Sequence, residues 1–208
     1  MLIRPLQDDD IPAVACLLTA LARQFIVHES TPAGAATFLR ENDESAIRGY
    51  VASGQVYHVA ELDGEIAGFV AARACTHLFH MFVGARWQRQ GVGRQLWETA
   101  RTKAIAAGGS GQFTVNASNF AVPVYQALGF ARTAPMQSMK GLFYNPMGGA
   151  DPMTVVKRFD DIDVQGCACR RYAGGCRQTS LAGRGRKWGE GSRGTKKNRP
   201  AARTAMLI

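Results

Sequence analysis

The sequence predicts a mixed α/β domain of the α+β class, followed by a basic tail. Two observations support this prediction. Segments with the two-residue period of strands and segments with the period of helices follow one another along residues 1 to 148. The chain also has 208 residues, of which 46% are hydrophobic, and this is enough to bury one good core. We therefore predict a domain over residues 1 to 148 and a tail over residues 149 to 208.

The first part of the domain is predicted to contain a short strand and two helical regions. Apolar and polar residues alternate from Leu2 to Leu6, which favours a strand. Asp8 to Asp10 supply cap and first-turn acids before the apolar-periodic stretch Ile11 to Phe25, which indicates a helix. A second helical region is predicted over Ala33 to Ala52.

A pair of strands joined by a tight turn is predicted next. Val56 to Leu62 and Glu65 to Arg73 flank Asp63-Gly64, a dipeptide favoured in hairpins. The remaining elements are a strand at 78–83, a helix over Arg94 to Ala107, a strand at 112–117, a short helix at 121–127 and strands near 130–138 and 140–147. The order is β-α-α-β-β-β-α-β-α-β-β, with about seven strands and four helices.

The loop Gln88-Arg89-Gln90-Gly91-Val92-Gly93 is typical of a phosphate-binding turn between a strand and a helix. Two glycines one residue apart let the backbone turn sharply and approach a ligand. The first NH groups of the next helix have no partners and lie at the positive end of its dipole, so they bind anions. Arg89 and Arg94 add charge for pairing with phosphate.

Two nucleotide-binding alternatives do not fit the residues around this loop. A Rossmann fingerprint needs a third small residue at position 96, which is Leu96, and an acidic residue near the end of the next strand, which reads Phe113 to Asn116. A Walker loop needs Gly-Lys followed by Ser or Thr, and no such triplet follows Gly91 or Gly93.

The loop instead resembles the acetyl-CoA loop of the Gcn5-related N-acetyltransferase (GNAT) family, whose pattern is Gln/Arg-x-x-Gly-x-Gly/Ala. Gln88, Gly91 and Gly93 match this pattern in full. Asn119 to Phe130 is similar to the family's second cofactor motif, an Asn followed by a short helix that ends in Tyr-x-x-x-Gly-Phe. The resemblance covers residues 1 to 148 and implies a mixed, mostly antiparallel sheet with acetyl-CoA as the acetyl donor.

The resemblance also implies which residues bind the cofactor. The strand before the loop splays from its neighbour in the family, so the backbone NH groups of Met81 and Val83 are expected to meet the thioester carbonyl and the pantetheine arm. Asn119 is expected to cap the short helix and to touch that arm. The pyrophosphate is expected on Gln88, Arg89, Gln90, Gly91, Val92, Gly93 and Arg94. No metal is expected.

Acetyl transfer to an amine needs a group that removes the ammonium proton and an acid that protonates the leaving thiolate. Several relatives place a Glu or His at the position of His77, and a histidine with a pKa of about 6.5 accepts a proton at neutral pH. His80 is a second candidate and should face the other side of its strand. A water relay without a side-chain base is the third alternative. Tyr125 matches the family's tyrosine that protonates the thiolate.

The predicted function is therefore an N-acetyltransferase that moves an acetyl group from acetyl-CoA to a primary amine by direct transfer in a ternary complex. The alternative is a non-catalytic acyl-CoA-binding sensor or interaction module. The acceptor is expected to be a small-molecule amine or a protein amine, and the protein a monomer or homodimer. Glu29 and Glu61 are candidates for attracting an ammonium group. The resemblance also implies that the acceptor lies against the first two helices and the last hairpin, which here supply Phe25, His28, Glu29, Phe38, Phe143, Tyr144 and Asn145.

The net charge of +9 belongs almost entirely to the tail. Residues 1 to 150 hold 12 Lys or Arg and 11 Asp or Glu, whereas residues 151 to 208 hold 13 and 5 and carry +8. Gly, Arg, Lys, Ser and Thr dominate from Gly166 onward, which predicts disorder. A basic arm can bind nucleic acid, but Trp188 is nearly the only aromatic residue there, and this argues against nucleic acid as a partner.

The cysteines and the hydropathy pattern predict a cytoplasmic protein without metal or membrane contacts. Cys167, Cys169 and Cys176 lack the usual zinc spacing and no histidine follows them. The odd total of five cysteines fits a reduced compartment. No apolar run approaches the roughly 18 residues of a membrane span, and the segment from Met1 to Asp10 is acidic, unlike a signal peptide.

Overall fold

A computed structural model describes residues 1–149 of the chain, and the fold in this range is the mixed α/β fold that the sequence predicts. The predictions about the tail, including the thiols of Cys167, Cys169 and Cys176, lie outside the described residues. The helices are α1 (Ile11–Phe25), α2 (Pro32–Glu41), α3 (Glu44–Ala52), α4 (Val92–Ala106) and α5 (Val122–Ala127). The strands are β1 (Leu2–Pro5), β2 (Val56–Leu62), β3 (Glu65–Arg73), β4 (His77–Val83), β5 (Phe113–Ala117), β6 (Phe130–Arg132), β7 (Gln137–Met139) and β8 (Leu142–Gly149).

The strands form a sheet in the order β1-β2-β3-β4-β5-β8-β6, and β7 pairs with β8 beside it. The pairs are antiparallel except for β4 and β5, which run parallel and, within residues 1–149, are paired at His77 and Thr114. The prediction of a mostly antiparallel sheet is confirmed. Beyond His77 the two strands share no ladder, so the sheet has a gap at its centre toward the carboxyl end of β4.

Helices cover both faces of the sheet. On one face, α4 packs on a cluster of buried apolar residues in which the ring of Trp97 meets Phe113 edge-on, with centroids 4.9 Å apart. On the other face, Tyr50 of α3 packs edge-on against Phe79 of β4 with centroids 4.9 Å apart, and α1 contacts β3 and α3. In the part of the chain that the structure describes, no helix is long and apolar enough to cross a membrane.

The single helical region predicted from Ala33 to Ala52 is in fact two helices. The Asn42 side chain donates a 2.9 Å hydrogen bond to the Phe38 carbonyl and so satisfies the end of α2. Asp43 accepts a 2.8 Å hydrogen bond from the Ala46 NH and begins α3. These side-chain bonds compete with a continuous helix, which explains the break. Residues 130–138 likewise divide into β6 and β7.

A bulge in β4 changes which way its side chains face. Relative to β3, strand β4 contains one extra residue, Phe79. Leu78 and Met81 are three residues apart and yet both pack on the α4 cluster, which strict alternation would forbid. His77 and His80 therefore face the same side of the sheet, away from α4. The prediction that they face opposite sides is wrong because it assumed an unbroken strand.

Candidate active site

The amino terminus of α4 presents free backbone donors to a surface cleft. Gly91 has φ +79°, in the left-handed region that favours glycine, and forms the N-cap of the helix. The first helical hydrogen bond runs from the Gln95 NH to the Gly91 carbonyl, 3.1 Å. The NH groups of Val92, Gly93 and Arg94 therefore precede the helical ladder and have no helical acceptor. The positive end of the helix dipole adds to their attraction for anions.

The protein leaves space open beside both glycines of the loop. A Cβ added to Gly91 would have Gln95 Nε2, at 4.0 Å, as its nearest neighbour. One added to Gly93 would make an ordinary 3.6 Å contact with Val83 Cγ2. Packing within the protein therefore does not require glycine at either position, although the positive φ favours glycine at Gly91. The bare backbone forms a cradle that suits a phosphate group.

Side-chain hydrogen bonds hold the loop in place. Gln88 Nε2 donates to the Val83 carbonyl at 2.9 Å and ties the loop to the end of β4. Gln90 Nε2 donates to the Arg86 carbonyl at 2.9 Å, and Gln90 does not line the cleft. The Arg86 guanidinium lies 4.4 Å from the centroid of the buried Trp87 ring. Gln88 and Gln90 thus position the loop through contacts within the protein.

Two arginines give the cleft its charge. Arg89 and Arg94 line it, and within residues 1–149 no other charged side chain does. Arg94 Nε donates a 2.9 Å hydrogen bond to Glu98 Oε1, so one carboxylate partly neutralises this arginine. The side chain of Val92, in contrast, is buried in the α4 cluster and contributes only its backbone NH to the helix terminus.

Strand β4 directs backbone donors into the central gap. The Gly84 NH donates to the Ala67 carbonyl of β3 at 2.8 Å. Because successive NH groups of a strand point to opposite sides, the NH groups of Met81 and Val83 point away from β3, toward the gap. Both residues line the cleft. These are the two positions at which the sequence predicts backbone donors for a ligand.

Tyr125 places a phenol in the same cleft. Its side chain is 3% exposed, and its ring packs edge-on against Phe130 with centroids 5.7 Å apart. Burial raises the pKa of Tyr125 well above its usual value, because the charged phenolate would be poorly solvated there. The hydroxyl is therefore protonated at neutral pH and can act as a donor.

Asn119 has a different role from the predicted one. The N-cap residue of α5 is Ala121 and no side chain caps this helix, so the prediction that Asn119 does so is wrong. The Ala121 NH donates to Ser118 Oγ at 3.2 Å in the turn before the helix. Asn119 Nδ2 donates to Glu29 Oε2 at 2.8 Å, and its Oδ1 accepts a 2.9 Å hydrogen bond from Asn145 Nδ2. Asn119 does not line the cleft. Its amide instead connects the segment before α5 to the turn after α1 and to β8.

The two histidines of β4 lie on the face of the sheet opposite α4 and do not line the cleft. His80 is 1% exposed, Nδ1 lies 3.2 Å from the Tyr57 hydroxyl, and burial lowers the pKa of His80 to about 3. His77 Nδ1 lies 2.7 Å from Thr114 Oγ1, and burial, followed by the charge of Arg73, lowers the pKa of His77 to about 4. Both imidazoles are neutral at pH 7 and are weak bases there.

An apolar wall of the cleft combines Phe25, which is expected near the acceptor from the sequence, with Leu21, Ile26 and Phe120, which the sequence argument did not select. Phe25 at the end of α1 stacks on Phe120, with centroids 4.1 Å apart and ring planes at 19°. Leu21, one turn earlier in α1, and Ile26 line the same part. Leu21 has the spacing of an ordinary core face in α1, so the sequence contains no signal that distinguishes it from core residues.

Most other residues expected near the acceptor have structural roles. Phe38 is fully buried in the core. The Tyr144 hydroxyl donates to Gln137 Oε1 at 2.8 Å and Tyr144 is buried. Glu61 accepts a 3.0 Å hydrogen bond from Arg4 on the neighbouring strand β1. Phe25 lines the cleft directly, and Glu29 and Asn145 adjoin it through Asn119.

A family model described as an acetyltransferase (GNAT) domain matches residues 26–149. This match spans more than half of the chain, and the chain therefore belongs to the GNAT acetyltransferase family. No curated protein matches the sequence.

Solved structures share the fold at low sequence identity. The chain is similar to a Gcn5-related N-acetyltransferase from Rhodopseudomonas palustris, with a TM-score of 0.61, 22% identity and coverage of 72% of this chain and 95% of that one. It is also similar to the PaiA N-acetyltransferase from Thermoplasma acidophilum in complex with coenzyme A, with a TM-score of 0.59, 12% identity and coverage of 72% of this chain and 98% of that one. A third similar structure is an aminoglycoside 6'-N-acetyltransferase complexed with coenzyme A, with a TM-score of 0.52, 13% identity and coverage of 72% of this chain and 96% of that one.

Proposed function

We propose that this protein is an acetyl-CoA-dependent N-acetyltransferase that transfers the acetyl group to a primary amine directly, in a ternary complex. One observation carries the proposal: a single cleft joins the helix α4 amino terminus, the unpaired edge of β4 and the phenol of Tyr125. It combines an anion site, donors for an extended amide-bearing arm and a proton donor. Two similar structures hold coenzyme A, and their names specify amino groups as acceptors in those proteins.

The residues present fit this donor, which supplies the acetyl group as an activated thioester when bound. The amides of Val92 to Arg94, reached through the open cradle at Gly91, would bind the pyrophosphate, and Arg89 would offset its charge. The backbone NH groups of Met81 and Val83 would bind the thioester carbonyl and an amide of the pantetheine arm. A donor at the carbonyl stabilises the negative charge that develops on its oxygen during attack.

Proton transfer divides between Tyr125 and water. In the reaction, a C–N bond forms, the C–S bond breaks, the amine loses a proton and the sulfur gains one. Tyr125 holds its proton at neutral pH and would deliver it to the thiolate. Within residues 1–149 no carboxylate or imidazole lines the cleft, so we assign removal of the amine proton to a water relay instead of His77 or His80.

The donor site is tested by measuring acetyl-CoA binding in variants of two glycines that have similar backbone conformations. Gly91 and Gly64 have φ +79° and +77°, but Gly64 lies in the β2–β3 turn, with open space around it and away from the cleft. Asp tolerates this conformation and is a good N-cap, so Gly91→Asp should fold while its carboxylate repels phosphate. Acetyl-CoA should raise the Tm of the wild type and of Gly64→Asp but not that of Gly91→Asp. An equal rise in Tm in all three proteins would show that the loop at Gly91 is not part of the donor site.

The lack of a side-chain base on the cleft also fits a non-catalytic acyl-CoA sensor, which needs the cradle but no proton transfer. Thiol release in the presence of amines separates these two functions. An enzyme releases coenzyme A in proportion to acetylated amine. Stabilisation by acetyl-CoA without thiol release from any amine would favour the sensor.

A further inference from the structure

We infer that the acceptor is a monoamine whose amino group is carried on an apolar body, such as an arylalkyl or branched alkyl amine. The inference rests on the proposed function and specifies its substrate class. Two features of the cleft support it, namely the apolar wall built by α1 and Phe120, and the absence of carboxylates on the described lining. Each feature bears on a different part of the acceptor.

The apolar wall, formed by Leu21, Phe25, Ile26 and Phe120, continues the same cleft that Tyr125 lines. Phe25 and Ile26 are 8% and 6% exposed, and the Phe25–Phe120 stack fixes the two rings against each other. A rigid aromatic surface binds apolar groups by burying their area and by stacking. Water cannot make such contacts with the wall, so the wall favours an acceptor with an apolar body.

Charge on the cleft argues against polycationic acceptors. An amine with several ammonium groups needs carboxylates or other anionic partners for the groups that do not react. The charged residues on the described lining are Arg89 and Arg94, which are cationic. Glu29, on the turn after α1, is held by Asn119 through Oε2, and its Oε1 lies 3.8 Å from His28 Nε2. The other cations of such an acceptor would find no carboxylate partner on the described lining.

Steady-state acetylation by the full chain tests the substrate class. Phenethylamine and isoamylamine represent apolar monoamines, while spermidine and kanamycin represent polycations. Coenzyme A release is measured for each amine with acetyl-CoA, and the Tm shift with acetyl-CoA is measured in parallel. We expect kcat/KM for the apolar monoamines to exceed that for both polycations.

Variants of the wall link this preference to the structure. In Phe120→Ala, the KM for phenethylamine should rise about tenfold or more, as expected when a large apolar contact is removed from a binding pocket. Phe25→Leu removes the stacked ring but keeps an apolar side chain in α1, and it should raise the same KM. Phe143→Ala is the control, because Phe143 is 36% exposed on β8 and does not line the cleft. Phe120→Glu should improve spermidine relative to phenethylamine.

Each other outcome overturns the inference. Higher kcat/KM for spermidine or kanamycin than for the monoamines does so, as does an intact acetyl-CoA shift without turnover of either monoamine. If Phe120→Ala leaves the KM for phenethylamine unchanged and instead favours hexanoyl-CoA over acetyl-CoA, the wall belongs to the acyl group. If acetyl-CoA fails to stabilise the wild type, the proposed function itself fails.

Discussion

Asn119 Nδ2 donates a 2.8 Å hydrogen bond to Glu29 Oε2 and so joins two segments that lie 90 residues apart in the chain. The turn after α1 carries Glu29, and the segment before α5 carries Asn119. Ser118 and Phe120, on either side of Asn119, both line the cleft, whereas Asn119 faces away from it. The bond therefore fixes the segment that presents Phe120 and leads to Tyr125.

Asn119→Ala should lower both stability and acceptor binding. It removes the bond to Glu29 and leaves Asn145 Nδ2 with one acceptor, the Ala117 carbonyl at 3.2 Å. We expect the free energy of unfolding to fall by roughly 1–2 kcal/mol, about 1 kcal/mol for each hydrogen bond lost. Denaturant unfolding measures this loss, and Gln126→Ala on the exposed side of α5 is the control. Unchanged stability would show that the bond does not hold the segment.

Tyr125→Phe should slow turnover without weakening binding. It removes the proton donor and keeps the ring that packs against Phe130. We expect kcat to fall by about 10²-fold or more, the range for loss of a general acid, while the acetyl-CoA Tm shift persists. Tyr144→Phe is a matched control, because that buried tyrosine bonds Gln137 and does not line the cleft. Full kcat in Tyr125→Phe would assign protonation of the thiolate to water.

The residues proposed for the donor site could be selected from the sequence because the signals of the loop are local. Gly91 and Gly93 form the cradle with the helix that begins directly after them, so the sequence motif already contains the geometry. The Met81 and Val83 positions come from the resemblance to the GNAT family, and both residues line the cleft. The structure confirms the mostly antiparallel sheet that the resemblance implies. The predicted order of elements differs from the observed one where one helical region divides into α2 and α3 and one strand region into β6 and β7.

Most of the apolar wall and the face of His80 could not be predicted because they depend on contacts distant in sequence. The extra residue Phe79 in β4 is defined only by pairing with β3, and it alone decides the face of His80. The Phe25–Phe120 stack joins α1 to a loop that lies 95 residues later in the chain. Asp43, in contrast, is a recognisable N-cap, and its signal could have divided α2 from α3.

His80 should make stability fall as the pH is lowered from 6.5 toward 4. The unfolded chain binds a proton on this imidazole near pH 6.5, whereas burial lowers the pKa in the folded chain to about 3. Between these values the unfolded state holds more protons, so acid favours unfolding, by up to about 1.4 kcal/mol per pH unit for one histidine. Well above pH 6.5 the imidazole is neutral in both states, so His80 no longer makes the free energy of unfolding depend on pH.

His80→Phe tests this dependence, because phenylalanine suits the surrounding aromatic rings and does not titrate. The free energy of unfolding measured at pH 7, 6 and 5 should fall less steeply in this variant than in the wild type. His77, with a pKa lowered to about 4, retains its own contribution in both proteins. Equal slopes in the wild type and His80→Phe would contradict a buried, neutral His80.

Gly34→Ala should destabilise the packing of α2 against the turn between β7 and β8. A Cβ at Gly34 would lie 2.6 Å from the Gly141 carbonyl carbon and 2.9 Å from the Lys140 oxygen, both backbone atoms of the β7–β8 turn that cannot move cheaply. We expect a loss of about 2 kcal/mol, typical of overpacking, measured by denaturant unfolding. Gly49→Ala is the control: Gly49 lies within α3 with nothing inside 4 Å, so alanine should stabilise by about 0.5–1 kcal/mol. If Gly34→Ala were as stable as Gly49→Ala, helix α2 would not be held against this turn.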